Sequence, residues 1–269
     1  MSPAAAAPPA ASPPAASPPV PAPAPVPRSG TLDDRGVARR EAVHAIAWRV
    51  RGTVKVTGEV DVGLARFAGA VSVGGPLTAD RVAARGTLEV DGPVAVAGTL
   101  ATDGTFRAGT TAGGRDVLAK GTTRVGGELS AVRGLTGRGT VEAAALRGSL
   151  VDLDGTIVVP GPITAGTLLA ELAHGSRLGR VTARSATIRG KVPNVVEKVL
   201  QYPSEVHVDH VEADHVELAG VDVDFVRSPE VVLGRGAHVT TVEGTVVRRH
   251  PSATIGPRSR SPPPYGLRR

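Results

Sequence analysis

The chain has 269 residues, no cysteine, 2% aromatic residues and a formal net charge of +6. Without thiols there is no disulfide framework, no thiolate metal site and no cysteine nucleophile. No run of 18 apolar residues reads as a membrane-spanning helix, and the scarcity of aromatics argues against a membrane β-barrel, which needs aromatic girdles.

The first 29 residues hold 11 of the 23 prolines and one charge, Arg28. "MSPAAAAPPAASPPAASPPVPAPAPVP" has no basic start and no unbroken apolar run, so it does not read as a signal peptide. It predicts an extended, disordered Pro/Ala arm. The arm is assigned to residues 1–44, with a short helix over "DDRGVARREAVHAIA" as one reading of its end. The alternation Ile46, Trp48, Val50 suits a first strand, with Trp48 covering the open end of the unit that follows.

From residue 45 to 189 the sequence repeats. Gly52, Gly69, Gly86, Gly104, Gly121, Gly139 and Gly155 recur every 16 to 18 residues. Two places after each stands Val54, Val71, Leu88, Phe106, Thr123, Val141 or Ile157. Four places after stands Val56, Val73, Val90, Ala108, Val125, Ala143 or Val159. Apolar residues at i and i+2 share one face of a strand, and glycine turns a corner at positive φ without a Cβ penalty. Three such sides close a coil of about 17 residues. Stacked coils make a solenoid with strands about 4.8 Å apart. The predicted fold is therefore an all-β parallel β-helix, whose narrow core explains the small-residue bias.

Residues 190–205, "GKVPNVVEKVLQYPSE", interrupt the pattern and predict a loop or short helix. Valines then recur every five residues at 206, 211, 216, 221, 226 and 231, most with an apolar partner two places on. This predicts further coils with shorter corners over 206–246, with a separate small β-unit as the alternative. Residues 247–269 read as a disordered Arg/Pro tail. Its arginines, Arg248, Arg249, Arg258, Arg260, Arg268 and Arg269, account for the basicity, because residues 30–243 carry 24 basic and 25 acidic side chains. Such a tail predicts a nonspecific grip on an anionic surface.

Candidate chemistry is sparse. "HVDHVEADH" places His207, His210 and His215 among Asp209 and Asp214, but His210 and His215 lie one five-residue side apart and should face different corners. The reading is a solvated corner, with no metal assigned. Glu205, Asp209, Glu212, Asp214, Glu217, Asp222 and Asp224 alternate with apolar residues and should form an acidic outer face, solvated or docking a basic partner. No phosphate-binding G-x-x-x-x-G-K-[ST] occurs. No cofactor and no catalytic residue is assigned.

The glycine-punctuated hexads, the coils of about 17 residues and the closing block "VEADHVELAGVDVDFVRSPEVVLGRGAHVTTVEG" (211–244) together resemble the bactofilins, the polymer-forming cytoskeletal proteins. The resemblance covers roughly residues 50–245. It implies a right-handed β-helix that assembles end to end into filaments without nucleotide, as a cytoplasmic scaffold at the inner face of the membrane or for other proteins. On that reading the chain is not an enzyme, and its first partner is itself. A membrane surface and other proteins are further partners, and nucleic acid is the least favoured. The residues assigned to self-assembly are Trp48, Val54 and Val56 near one end and Val246 near the other. The alternatives are a non-polymerising adaptor and, more remotely, a hexapeptide-type acyltransferase. The latter uses one large aliphatic residue per hexad, where this chain uses two.

Overall fold

Alternating inward valines and corner glycines dictate short strands that bend rather than reverse. The computed structural model, which describes residues 27–191 and 206–257, contains twelve of them. They are β1 (Thr31–Arg40), β2 (Val43–Val56), β3 (Val60–Val73), β4 (Leu77–Val90), β5 (Val94–Ala108), β6 (Ala112–Val159), β7 (Ile163–Leu172), β8 (Arg177–Gly190), β9 (His207–Ala219), β10 (Asp222–Leu233), β11 (His238–Arg249) and β12 (Thr254–Ile255). All pair in parallel, in sequence order, as a single sheet wound on itself. Val60 pairs with Val43 below and Leu77 above, and Leu77 with Val94. The fold is the expected all-β solenoid. β6 spans 48 residues because its ladder runs through several corners unbroken.

The two apolar columns predicted from the repeat line the core. Val54, Val71, Leu88, Phe106, Thr123, Val141 and Ile157 are buried, as are Val56, Val73, Val90, Ala108, Val125, Ala143 and Val159. Each is stacked on its counterpart, as Val71 is on Val54 and Leu88 on Val71. The valine series after residue 205 is buried likewise. Its turns are shorter, since Asp222 pairs with His207 on one side and His238 on the other.

The glycine column is a second ladder. Gly52, Gly69, Gly86, Gly104 and Gly121 lie in register, all at positive φ between 95° and 143°. A Cβ on Gly104 would approach the carbonyl oxygen of Gly86 more closely than 3.0 Å. Backbone conformation and cross-turn spacing therefore both demand glycine there.

The solenoid begins earlier than its apolar pattern suggests. Thr31–Arg40, read as arm with a short helix, is strand β1, paired along its length with β2. The inward positions of β1 are Leu32, Asp34, Ala38 and Arg40, so charge hides the alternation. Those two charges satisfy each other. Arg40 donates to Asp34 through Nε (3.0 Å) and Nη2 (2.6 Å), and the fully buried Trp48 donates its Nε1–H to Asp34 at 2.8 Å. Trp48 also meets Phe67 edge to face at 5.0 Å.

This buried carboxylate gives the N-terminal turn a pH dependence. The Arg40 guanidinium, helped by the Trp48 N–H and opposed by burial, holds Asp34 below its ordinary value of 3.8. A depressed carboxylate pKa adds stability above the unfolded value, and that stability disappears as pH falls through the folded one. Asp34→Asn should therefore lose about 1–3 kcal/mol at neutral pH. The gap from wild type should narrow as pH falls below 3.8, and urea unfolding at neutral and acid pH measures it. A gap independent of pH would refute the assignment.

Candidate functional site: the solenoid ends and outer face

A solenoid can accept a partner on its terminal strands or on its outer face. β1 pairs with β2 alone, and among the described residues no strand lies on its other edge. Leu32 and Ala38, its apolar inward side chains, are only partly buried. Arg28 braces this end along the axis, donating to Asp61 Oδ1 from Nε (3.1 Å) and Nη2 (2.8 Å) and to Asp80 Oδ2 from Nη1 (2.9 Å).

At the other end β12 covers only His238 and Val239 of β11. Beyond them Val242 and Val246 continue the columns of Val226 and Val231. Val226 and Val231 are fully buried, whereas Val242 and Val246 are half-buried and Val247 is 54% exposed. Among the described residues, the terminal turn thus presents a cross-section of the core.

Of the residues assigned to assembly, the structure places Val246 on this terminal strand and the others inside. Trp48, Val54 and Val56 are buried beneath β1, in register with Leu32, Ala38 and Arg40. The end-facing positions are instead Leu32 and Ala38, with Val242 joining Val246 at the far end. The signal that points to the extra turn is Gly36, sixteen residues before Gly52, at positive φ and in register with it.

The tail also begins later than expected. Residues 247–257 belong to the fold, and Arg249 donates from Nε (3.1 Å) and Nη2 (2.9 Å) to the Ala253 carbonyl, closing the last turn. Arg248 is exposed at the end of β11. Arg258, Arg260, Arg268 and Arg269 lie outside the described residues, as do Glu205 and most of the 190–205 segment.

On the outer face, the acids from Asp209 to Asp224 point away from the core as expected. The histidines separate by corner. His210 stacks on Phe225 of the next turn at 4.6 Å, and His215 Nδ1 lies 3.3 Å from Glu230 Oε2. His207 Nε2 lies 3.1 Å from Asp209 Oδ1 and 3.4 Å from Asp224 Oδ2. Asp224 comes from the following turn, so no spacing within "HVDHVEADH" reveals it. Nearer the N-terminal end, the exposed side chains Arg49 and Arg51 of β2, Arg66 of β3 and Arg85 of β4 line one shallow groove. No helix among the described residues is long and apolar enough to cross a membrane. No family model, no curated protein and no solved structure matches the chain.

Proposed function

We propose that the protein is a bactofilin-like structural scaffold whose copies join end to end into filaments without nucleotide. The observation that carries this reading is the open cross-section at the C-terminal end, where Val242 and Val246 lie half-buried on a strand that β12 covers over two residues only. Unpaired strand edges are templates for another chain. The terminal strand of a second copy supplies both the missing main-chain hydrogen bonds and apolar cover. Such a junction rests on burial and backbone pairing, so it should tolerate moderate salt. The resemblance over residues 50–245 favours the same function, a non-catalytic one in the cytoplasm or at the inner face of the membrane.

Negative-stain microscopy and sedimentation of the purified chain without nucleotide test it. Wild type should form filaments. Val246→Asp should raise the concentration needed for assembly by about tenfold or more, because an unpaired carboxylate would be buried at each junction. Filaments unaffected by Val246→Asp would place the contact elsewhere. A wild-type chain that stays monomeric at every concentration would overturn assembly and favour an adaptor, with the groove of Arg49, Arg51, Arg66 and Arg85 as the surface facing an anionic partner.

A further inference from the structure

We propose that His207, Asp209 and Asp224 form a site for a divalent transition-metal ion, which clips the β9 turn to the β10 turn. The inference is independent of end-to-end assembly. Val208 pairs with Val223 and His210 with Phe225, so Asp209 lies beside Asp224 in adjacent strands. Both carboxylates are on the outer face. Like charges at strand spacing repel one another and call for a cation between them.

The geometry suits one ion. The three donor atoms, His207 Nε2 and an oxygen of each aspartate, lie within 4.8 Å of one another. Zinc holds imidazole nitrogen and carboxylate oxygen at about 2.0–2.2 Å, which sets neighbouring donors about 3.0–3.4 Å apart around an octahedral or tetrahedral ion. The two His207 separations, 3.1 and 3.4 Å, have that length. One nitrogen and two oxygen donors suit zinc, cobalt or nickel better than magnesium or calcium, which prefer oxygen alone. Three protein donors leave positions for water.

A further imidazole stands on the next turn. The His238 side chain is only 10% exposed and its Nε2 has no hydrogen-bond partner. Its Nδ1 is held 2.6 Å from Thr254 Oγ1, which fixes the ring. Nε2 then faces Asp222 Oδ1 at 3.9 Å. Asp222 is in register with His207 on one side and His238 on the other. A column of imidazole, carboxylate and imidazole thus runs beside the Asp209–Asp224 column. It ends in a buried imidazole whose Nε2 lies nearest Asp222 and outside the three-donor set. Arg177, in register with His207 on the β8 side, is exposed and makes no ion pair with either carboxylate.

The competing arrangement is a protonated His207 bridging two aspartates with no metal. Calorimetric titration of the full chain with zinc chloride in a non-chelating buffer, and thermal unfolding with and without zinc, distinguish the two. Wild type should bind one zinc ion per chain at this face and unfold at a higher temperature when loaded. His207→Ala and Asp224→Asn should each weaken binding by about tenfold or more and abolish the thermal shift. His215→Ala, which removes the separate pair with Glu230, should leave both readouts unchanged. Circular dichroism establishes that each variant is folded. Absence of binding by folded wild type, or binding that survives both His207→Ala and Asp224→Asn, would overturn the site.

Discussion

Gly104→Ala should destabilise the solenoid by about 3–4 kcal/mol, a large share of the stability of a typical domain. Two effects add at this position. The residue sits at φ 125°, where an L side chain is strained, and its new Cβ would press on the carbonyl oxygen of Gly86. That oxygen is backbone in a ladder, so it has no rotamer to escape into. Gly175→Ala provides the comparison. Gly175 also has positive φ, 78°, but a Cβ there meets nothing within 4 Å. It should cost only about 1–2 kcal/mol, the left-handed penalty alone. Urea unfolding of the two variants isolates the cross-turn contact, and equal losses would show that stacking of the glycine column is not what demands glycine.

Val90→Asp should cost at least about 4 kcal/mol and leave little folded protein at 37 °C. Val90 is 1% exposed and lies between Val73 and Ala108 in the same column. A carboxylate there faces aliphatic neighbours above and below, with no donor of its own. Glu89→Asp, one residue earlier on the outer face, should change stability by no more than about 0.5 kcal/mol. The contrast tests the inward–outward assignment along β4 directly. A larger loss at Glu89 than at Val90, measured by thermal and urea unfolding, would mean the strand is turned the other way.

The central turns are legible in the sequence because nearly every one carries its own apolar pair (Thr123 replaces one member in the turn at Gly121) and its own corner glycine, so one line of the repeat predicts the next. Local pattern suffices where every inward position is apolar. It fails at β1, where Asp34 and Arg40 are inward and become intelligible only when paired with each other and with Trp48. It fails again at the outer face, where the partners belong to different turns. Asp209 and Asp224 are distant in sequence and adjacent only because the turns stack. Val246 could be placed at an end because the valine series stops near it. Trp48 could not, because the turn that covers it does not look apolar.

The parallel stacking also makes the length of the rod a counted quantity rather than a continuous one. A segment inserted into the chain has two outcomes. If it matches the length of a turn, 15 to 18 residues in this molecule, and repeats the inward apolar pattern, it becomes one more rung and lengthens the rod by about 4.8 Å. Otherwise it must leave at a corner and rejoin in phase. Both spacings occur in this molecule. Gly86 pairs with Gly104 and Gly104 with Gly121, each one rung apart. Arg177 pairs with His207 at a much longer sequence separation, yet Val181 and Val211 still stack in the same column as Ile163. Duplicating the codons of one whole turn therefore extends such a protein without redesigning its interior, whereas additions of other lengths decorate its corners and leave the rung count untouched.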